Sequence, residues 1–171
     1  ASFNMNSMGA NESNEWLVFT LTQTAPDTWD LVVTQNGETV HENSGLRGAY
    51  DSSANPNYHD NALDAILYGN PSGYSPTGID GSMLIYVTEL RGVSTVEEPV
   101  ELVGTIIDNC VYVDYGFQET TEIAGVPGFE KVHKYEGTDS FIHGAFFSDV
   151  NLDNYSIVTF ALKTASFNMN S

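Results

Sequence analysis

The chain has 171 residues, of which 41% are hydrophobic and 12% aromatic, and this composition predicts a folded globular protein with a buried core. Its 23 acidic residues against 5 Lys and Arg give a formal net charge of −18, which repels the phosphates of nucleic acids and of anionic membranes. No apolar run reaches the roughly 18 residues of a membrane-spanning helix, and a single cysteine, Cys110, excludes an internal disulfide. We therefore expect no nucleic-acid partner and no membrane insertion, and the dispersed acids of a lysine-poor chain suit an extracellular or cell-surface protein.

The chain opens and closes with the same seven residues, ASFNMNS, at 1–7 and at 165–171. The two copies are 164 residues apart, about the size of one ordinary domain. In each copy apolar residues alternate with Ser and Asn, which is the period of a half-buried β-strand. Two functional explanations fit: the chain is one unit of a tandem array, or a terminal strand was duplicated on purpose so that one copy completes a domain that lacks it. The alternative is that the repeat is a cloning artefact. Under both functional explanations we predict that the segment joins successive domains through Phe3, Met5, Phe167 and Met169.

Three predicted strands follow the opening segment and form a β-meander. Glu15–Gln23 and Thr28–Thr34 alternate apolar and polar residues, and Pro26 marks the turn between them. Asn36-Gly37, just before a strand at Glu38–His41, is the strongest short signal for a two-residue hairpin turn. The beginning of the chain is therefore expected to be antiparallel sheet.

Part of this stretch resembles the outer β domain of flagellar hook proteins. The resemblance rests on Asn6-Ser7-Met8-Gly9, on Trp16-Leu17-Val18-Phe19 and on the run from Thr24 to Leu31. That family has an Asp-Ser-Leu-Gly-like turn, a strand ending in an aromatic residue and a short loop before Asn-Thr-Trp; here Asn6 replaces the Asp and Met8 the Leu. The resemblance covers residues 6–32, less than a fifth of the chain, and it implies an extracellular, filament-type β domain.

Residues 43–81 form a loop-rich insertion dominated by Gly, Pro, Ser, Asn and Tyr. Long excursions in compact domains are commonly functional. A short helix is predicted from Asp60 to Tyr68, because Leu63, Ile66 and Leu67 share one helical face. The tyrosines of the insertion either bind a cell-surface glycan or protein, or pack the loop onto the sheet. This candidate ligand-binding site comprises Tyr50, Tyr58, Tyr68 and Tyr74.

The second half of the chain is typical of strands separated by turn clusters. The clearest strands are Ser82–Arg91 and Tyr155–Lys163, and the latter runs towards the second ASFNMNS copy without a glycine or proline spacer. Ala124–Gly128 is a turn cluster. About ten strands in all predict an all-β fold, an antiparallel β-sandwich or partly open barrel forming one domain, 1–171. The remaining strands are predicted at Val100–Ile107, Asn109–Tyr115, Thr120–Ile123, Phe129–Tyr135 and Ser140–Phe147.

Motifs of catalysis are absent from the sequence. It contains no Gly-rich phosphate loop, no Gly-x-Ser-x-Gly elbow, no His-Glu-x-x-His and no pair of redox cysteines. We therefore predict that the protein is not an enzyme and requires no cofactor.

One ion-binding pattern precedes the last predicted strand. Asp149, Asn151 and Asp153 place oxygen-bearing side chains at alternate positions, which can converge on Ca²⁺. The glycine and the distal glutamate of an EF-hand loop are missing, so further ligands would come from elsewhere in the chain. The alternative interpretation is an Asx turn in a solvated loop.

Together these patterns favour a structural role outside the cell. The leading hypothesis is a repeat of a surface adhesin or a subunit of a filament, in which the repeated segment joins copies head to tail by strand complementation. Its partners are then copies of itself or adjacent repeats. The alternative is a carbohydrate- or protein-binding module that uses the Tyr-rich insertion.

Overall fold

The computed structural model describes residues 15–26, 28–47, 62–68, 83–94, 104–108, 117–137 and 143–166, and the regular elements within them are β-strands apart from one 3₁₀ turn at Leu152–Asn154. The all-β prediction is confirmed, since the strands are antiparallel and the sheet is not closed into a barrel. The strands are β1 (Leu17–Ala25), β2 (Thr28–Gln35), β3 (Glu38–Arg47), β4 (Ala62–Tyr68), β5 (Met83–Thr88), β6 (Leu90–Ser94), β7 (Thr105–Asp108), β8 (Gln118–Glu119), β9 (Val132–Gly137), β10 (His143–Asn151) and β11 (Tyr155–Ser166).

Nine of these strands make one sheet, in the order β3-β2-β1-β11-β5-β9-β8, with β6 paired to β11 and to β7. β10 and β4 form a separate two-stranded sheet. The central strand is β11, which pairs with β1 along one side and with β6 and then β5 along the other. The last strand in the sequence therefore connects the first three strands to the middle of the chain.

The first three strands form the predicted meander. Asn36 (φ 52°) and Gly37 (φ 81°) connect β2 to β3 with positive φ at both positions, as a type I′ hairpin turn requires. Glycine and asparagine reach this region with the least steric strain. β3 continues to Arg47, well beyond the predicted His41, so the predicted insertion begins inside a strand.

The core cluster takes alternate residues from β1, β2, β5 and β11, and in β5 and β11 the residues between them are buried as well. Phe19 of β1 lies directly opposite Phe160 of β11, and their rings stack with centroids 4.7 Å and planes 6° apart. Phe117 and Tyr135 make a second ring contact at 5.6 Å. Burial of one large apolar side chain stabilises a fold by about 1.5–3 kcal/mol. The core cluster consists of Leu17, Phe19, Trp29, Leu31, Val33, Ile85, Val87, Leu90, Phe117, Tyr135, Val150, Leu152, Val158, Phe160 and Leu162.

The predicted helix from Asp60 to Tyr68 is wrong. Ala62–Tyr68 is strand β4, which pairs antiparallel with β10, for example Leu67 with Gly144. A short apolar run fits a strand as well as a helix, and a segment of this length gains little as an isolated helix. A ladder partner from far along the chain decides the outcome.

In the segment before β9, one predicted strand is wrong and the predicted turn is confirmed. The strand predicted at Thr120–Ile123 is wrong, because β8 lies earlier, at Gln118–Glu119. Thr120 extends the pairing with β9 by one hydrogen bond, in which its N–H donates to Val132 O at 2.8 Å. The turn cluster is confirmed, because Phe129 N donates to Val126 O at 3.0 Å and Gly128 has a φ of 92°. Proline followed by a glycine of positive φ is the pattern of a type II turn.

Candidate assembly site

The second ASFNMNS copy begins inside β11. Ala165 and Ser166 are the first two residues of that copy and the last two of the strand, and Ser166 lies opposite Leu84 of β5. The register shifts between Thr164 and Ser166, which places a β-bulge at Ala165. The copy therefore starts as part of the central strand rather than after it. The predicted assembly residues lie outside the described part of the chain, and their role stays a prediction: Phe3, Met5, Phe167 and Met169.

One side of this strand end has no ladder partner among the described residues. β1 pairs with β11 only as far as Leu17, opposite Leu162. The same register would place Trp16 opposite Lys163, yet Trp16 is not in a strand. Among the described residues, the β1–β11 ladder therefore stops at Leu162, before the second copy begins at Ala165.

Two edge strands of the described sheet, β3 and β8, are poor templates for pairing with another strand. β3 exposes Glu38 and Glu42, and its register with β2 shifts twice. Gly45 in β3 has a φ of 70° and donates its N–H to Asp30 Oδ1 at 2.9 Å. Charges and bulges on an edge strand oppose edge-to-edge pairing. β8, at the other edge, has only 2 residues.

A fully buried carboxylate, Glu89, lies where β5 passes into β6. Its side chain is 0% exposed, and Oε1 accepts hydrogen bonds from Arg91 Nε at 2.9 Å and from Glu130 N at 2.7 Å. Oε2 accepts the N–H of Lys131 at 2.8 Å. The β5–β9 ladder ends at Thr88 opposite Val132. The carboxylate of Glu89 thus serves as the next acceptor for the chain that enters β9.

Arg91 accompanies this carboxylate and extends the cluster to another segment. Its side chain is 11% exposed, and it donates to Glu130 Oε1 at 3.1 Å and to the carbonyl of Gly104 at 2.9 Å. Apart from the bond between Glu89 and Arg91, most hydrogen bonds of these two side chains are made with backbone groups. We interpret the cluster as an anchor that ties β6, the start of β7 and the entry to β9 together.

The bend between β5 and β6 is a bulge in the partner of β11. Val87 lies opposite Leu162 and Arg91 opposite Thr159, so the β5–β6 side contains one residue more than β11 between these pairs. The extra residue leaves the N–H of buried Ala161 without a carbonyl partner in the ladder, and Thr88 Oγ1 accepts this N–H at 2.9 Å. The hydroxyl of Thr88 donates in turn to Glu89 O at 3.0 Å. The bend therefore interrupts the ladder without leaving that N–H unsatisfied.

The sequence contains a local signal for this anchor. Alternation along Ser82–Arg91 puts Glu89 on the face of Ile85 and Val87, where a carboxylate would be buried. Its partners were not predictable, because Glu130 and Lys131 are 41 and 42 residues away in the chain.

His133 is another buried polar residue, in β9 opposite Val87. It is 7% exposed, and its Nδ1 makes no hydrogen bond. Burial lowers the pKa of His133, and the carboxylate of Glu119, which lies opposite in β8, partly offsets that effect. The folded state therefore favours the neutral imidazole.

The residues of the predicted calcium pattern lie at the junction of β10 and β11. Asn151 Oδ1 accepts the N–H of Asp153 at 2.9 Å and caps the 3₁₀ turn, so the Asx-type arrangement offered as the alternative is present. Asp149 lies within β10 rather than in a loop. In the described residues no group of three His, Cys, Asp or Glu is placed to hold a metal ion. Binding of Ca²⁺ stays a prediction.

The tyrosines of the alternative ligand-binding site are described only in part. Tyr68 is the last residue of β4, opposite His143 of β10. Tyr50, Tyr58 and Tyr74 lie outside the described residues, so the hypothesis of a binding module stays a prediction.

Within the described part of the chain, no helix is long and apolar enough to cross a membrane. Comparisons of the chain with protein-family models, with curated proteins and with solved structures found no match. The function of the β11 end must therefore be inferred from its own residues and geometry.

Proposed function

We propose that the protein is a structural β-domain of the cell exterior, a repeat of a surface adhesin or a subunit of a filament, joined head to tail through ASFNMNS. The observation that supports this most is the position of the second copy, which begins as residues 165–166 of the central strand. Its backbone enters the segment already extended for pairing. Its identity with residues 1–7 supports a common role for the two segments in one joint.

The proposed joint works by strand complementation. An incoming extended segment makes main-chain hydrogen bonds to an open strand, and its alternate side chains enter apolar pockets. Phe and Met are the large side chains of ASFNMNS. At about 25 cal/mol per Å² of apolar area, burial of both contributes a few kcal/mol. The backbone ladder adds to this, so a short segment is sufficient for a joint.

The net charge of −18 sets the conditions for assembly. Copies of so acidic a chain repel one another, and salt screens the repulsion to a range of about 8 Å at physiological ionic strength. Arg91, Lys131 and Lys134 each pair with glutamates of their own domain. Assembly should therefore strengthen as salt rises, whereas a joint made of ion pairs would weaken.

The double variant Phe167→Asp with Met169→Asp tests the proposal. We expect the oligomers of the wild-type chain, measured by light scattering and electron microscopy, to be lost, while circular dichroism and the unfolding midpoint are kept. The control Asn168→Asp with Asn170→Asp adds the same charge at the polar positions and should still assemble. A wild-type chain that stays monomeric in high salt, or a Phe167–Met169 double variant that assembles normally, contradicts the proposal.

A further inference from the structure

We propose that residues 118–129 form an acid-sensitive strap, which covers the outer edge of β9 at neutral pH and lifts from it when His133 takes up a proton. The strap contains β8 and the turn that precedes β9. It is independent of the proposed joint, since it involves neither copy of ASFNMNS.

Both ends of the strap are anchored in the fold. Before it, the buried ring of Phe117 packs against Tyr135 of β9, with ring centroids 5.6 Å apart. After it, the N–H groups of Glu130 and Lys131 donate to the buried carboxylate of Glu89 at 2.7 and 2.8 Å. The strap can therefore lift as a flap while the chain on either side of it stays in place.

The middle of the strap is held less firmly than the rest of the sheet around β9. β8 has only 2 residues, whereas β5 pairs with the other side of β9 from Met83 to Thr88. Beyond β8, the strap adds the backbone bond from Thr120 N to Val132 O. Its ion pairs with Lys131 and Lys134 use glutamates that are 58% and 64% exposed, and exposed ion pairs stabilise little. Because the least stable segments open first, we expect this flap to open before β9 separates from β5.

The strap covers a histidine that is poorly placed to hold a second proton. His133 is buried, it lies opposite Glu119 of β8, and its Nδ1 makes no hydrogen bond. A protonated imidazole carries a donor on each ring nitrogen, and a buried donor without an acceptor is costly. Lifting β8 gives the ring access to water, so the charged form favours the open state.

The charged groups that act on His133 among the described residues come from three places. Glu119 belongs to β8, Glu89 to the bend after β5, and Lys131 to the chain that enters β9. The carboxylates favour the charged ring and Lys131 opposes it, but burial is the largest effect and lowers the pKa of His133. The open strap restores the ordinary pKa of 6.5. The opening equilibrium therefore rises by up to about tenfold per pH unit below 6.5, until the lowered pKa is reached.

Amide hydrogen exchange of the full chain tests the strap, measured by NMR from about pH 7 to 5.5, where most carboxylates stay charged. Rates are corrected for their intrinsic pH dependence and expressed as protection factors. We expect the protection of the Thr120 N–H to fall by about three- to eightfold over this range, while the amides of β5 keep theirs. In His133→Gln the protection of Thr120 should not change. Glu122→Gln is the matched control, because it removes an ion pair of the strap but leaves the imidazole, and it should keep the pH dependence of the wild type.

Four results would overturn the inference. They are a Thr120 N–H that is unprotected at pH 7, protection that does not vary with pH, an equal loss in β5, and a pH dependence that persists in His133→Gln. If that variant does not fold, the imidazole resonances of His133 in the wild type decide the question. They should titrate below pH 6.5, and titration at or above 6.5 would mean that the closed strap does not disfavour the charged ring.

Discussion

Glu89 and Lys131 are 42 residues apart in the sequence, yet the N–H of Lys131 donates to Glu89 Oε2 at 2.8 Å inside the fold. Together with the N–H of Glu130 and the guanidinium of Arg91, this bond fixes the bend between β5 and β6 to the start of β9. β5 and β6 are also the partners of β11, whose last residues begin the second ASFNMNS copy. The anchor and the candidate assembly site are thus connected through one ladder.

Glu89→Gln should destabilise the protein strongly. The substitution removes the charge that faces Arg91 and turns one acceptor into a donor among N–H groups. Removal of one partner of a buried ion pair typically lowers the free energy of unfolding by about 3–5 kcal/mol, which urea denaturation measures. Glu122→Gln is the control, because Glu122 is 64% exposed in its pair with Lys134. This substitution should lower the free energy of unfolding by about 1 kcal/mol or less. Equal losses in the two variants would refute the anchor.

Gly104→Ala should cost more stability than Gly37→Ala. Both glycines have positive φ, 62° and 81°, so an L-residue is strained at either position. A Cβ at Gly104 would also overlap the carbonyl oxygen of Gly92, whereas one at Gly37 meets nothing within 4 Å. We expect a loss of about 1 kcal/mol at Gly37 and at least twice that at Gly104. Thermal unfolding of the two variants gives the comparison, and similar midpoints would show that Gly104 does not lie close to the backbone of Gly92.

Thr88→Val should destabilise the protein at the bulge between β5 and β6. Valine keeps the shape of threonine but cannot accept the N–H of Ala161, which is buried. An unsatisfied buried donor costs about 1–3 kcal/mol. Thr22→Val, at an exposed position of β1, is the matched control and should be close to neutral. If Thr88→Val is also neutral in urea denaturation, the hydroxyl is not needed at the bend.

His133 should make stability depend on pH near neutrality. Burial lowers its pKa in the folded state below the ordinary value of 6.5, so the unfolded chain binds the proton more readily. The contribution of neutral His133 to the free energy of unfolding is therefore complete above pH 6.5, and it is lost as the pH falls from 6.5 towards the lowered pKa. Glu89 and Glu119 oppose this effect, and Lys131 adds to it.

The variant His133→Gln isolates that contribution. The difference in unfolding free energy between wild type and variant should be constant above about pH 7 and should change in favour of the variant down to about pH 5, before most carboxylates titrate. Denaturant unfolding at a series of pH values measures it. A difference that does not vary with pH would mean that folding leaves the proton affinity of His133 unchanged.

Patterns between neighbours were sufficient where the partners are close in sequence. Glu15–Gln23 and Thr28–Thr34 became β1 and β2 because a hairpin needs only alternate burial and a turn that accepts positive φ. The candidate site was predicted only in part. The identity of the two heptapeptides points to ASFNMNS as the assembly segment. It does not predict that β11 is the central strand or that the described β1–β11 ladder ends at Leu17.

By itself, the sequence determined a strongly acidic, antiparallel β protein that carries one strand-like segment twice, because charge and alternation are properties of residues along the chain. Only the tertiary structure decided that Ala62–Tyr68 is a strand, that Glu89 meets donors from the entry to β9, and that β11 lies between β1 and β5. Each of these depends on which distant backbone groups meet, and hydrogen bonds between distant segments leave no mark on local periodicity.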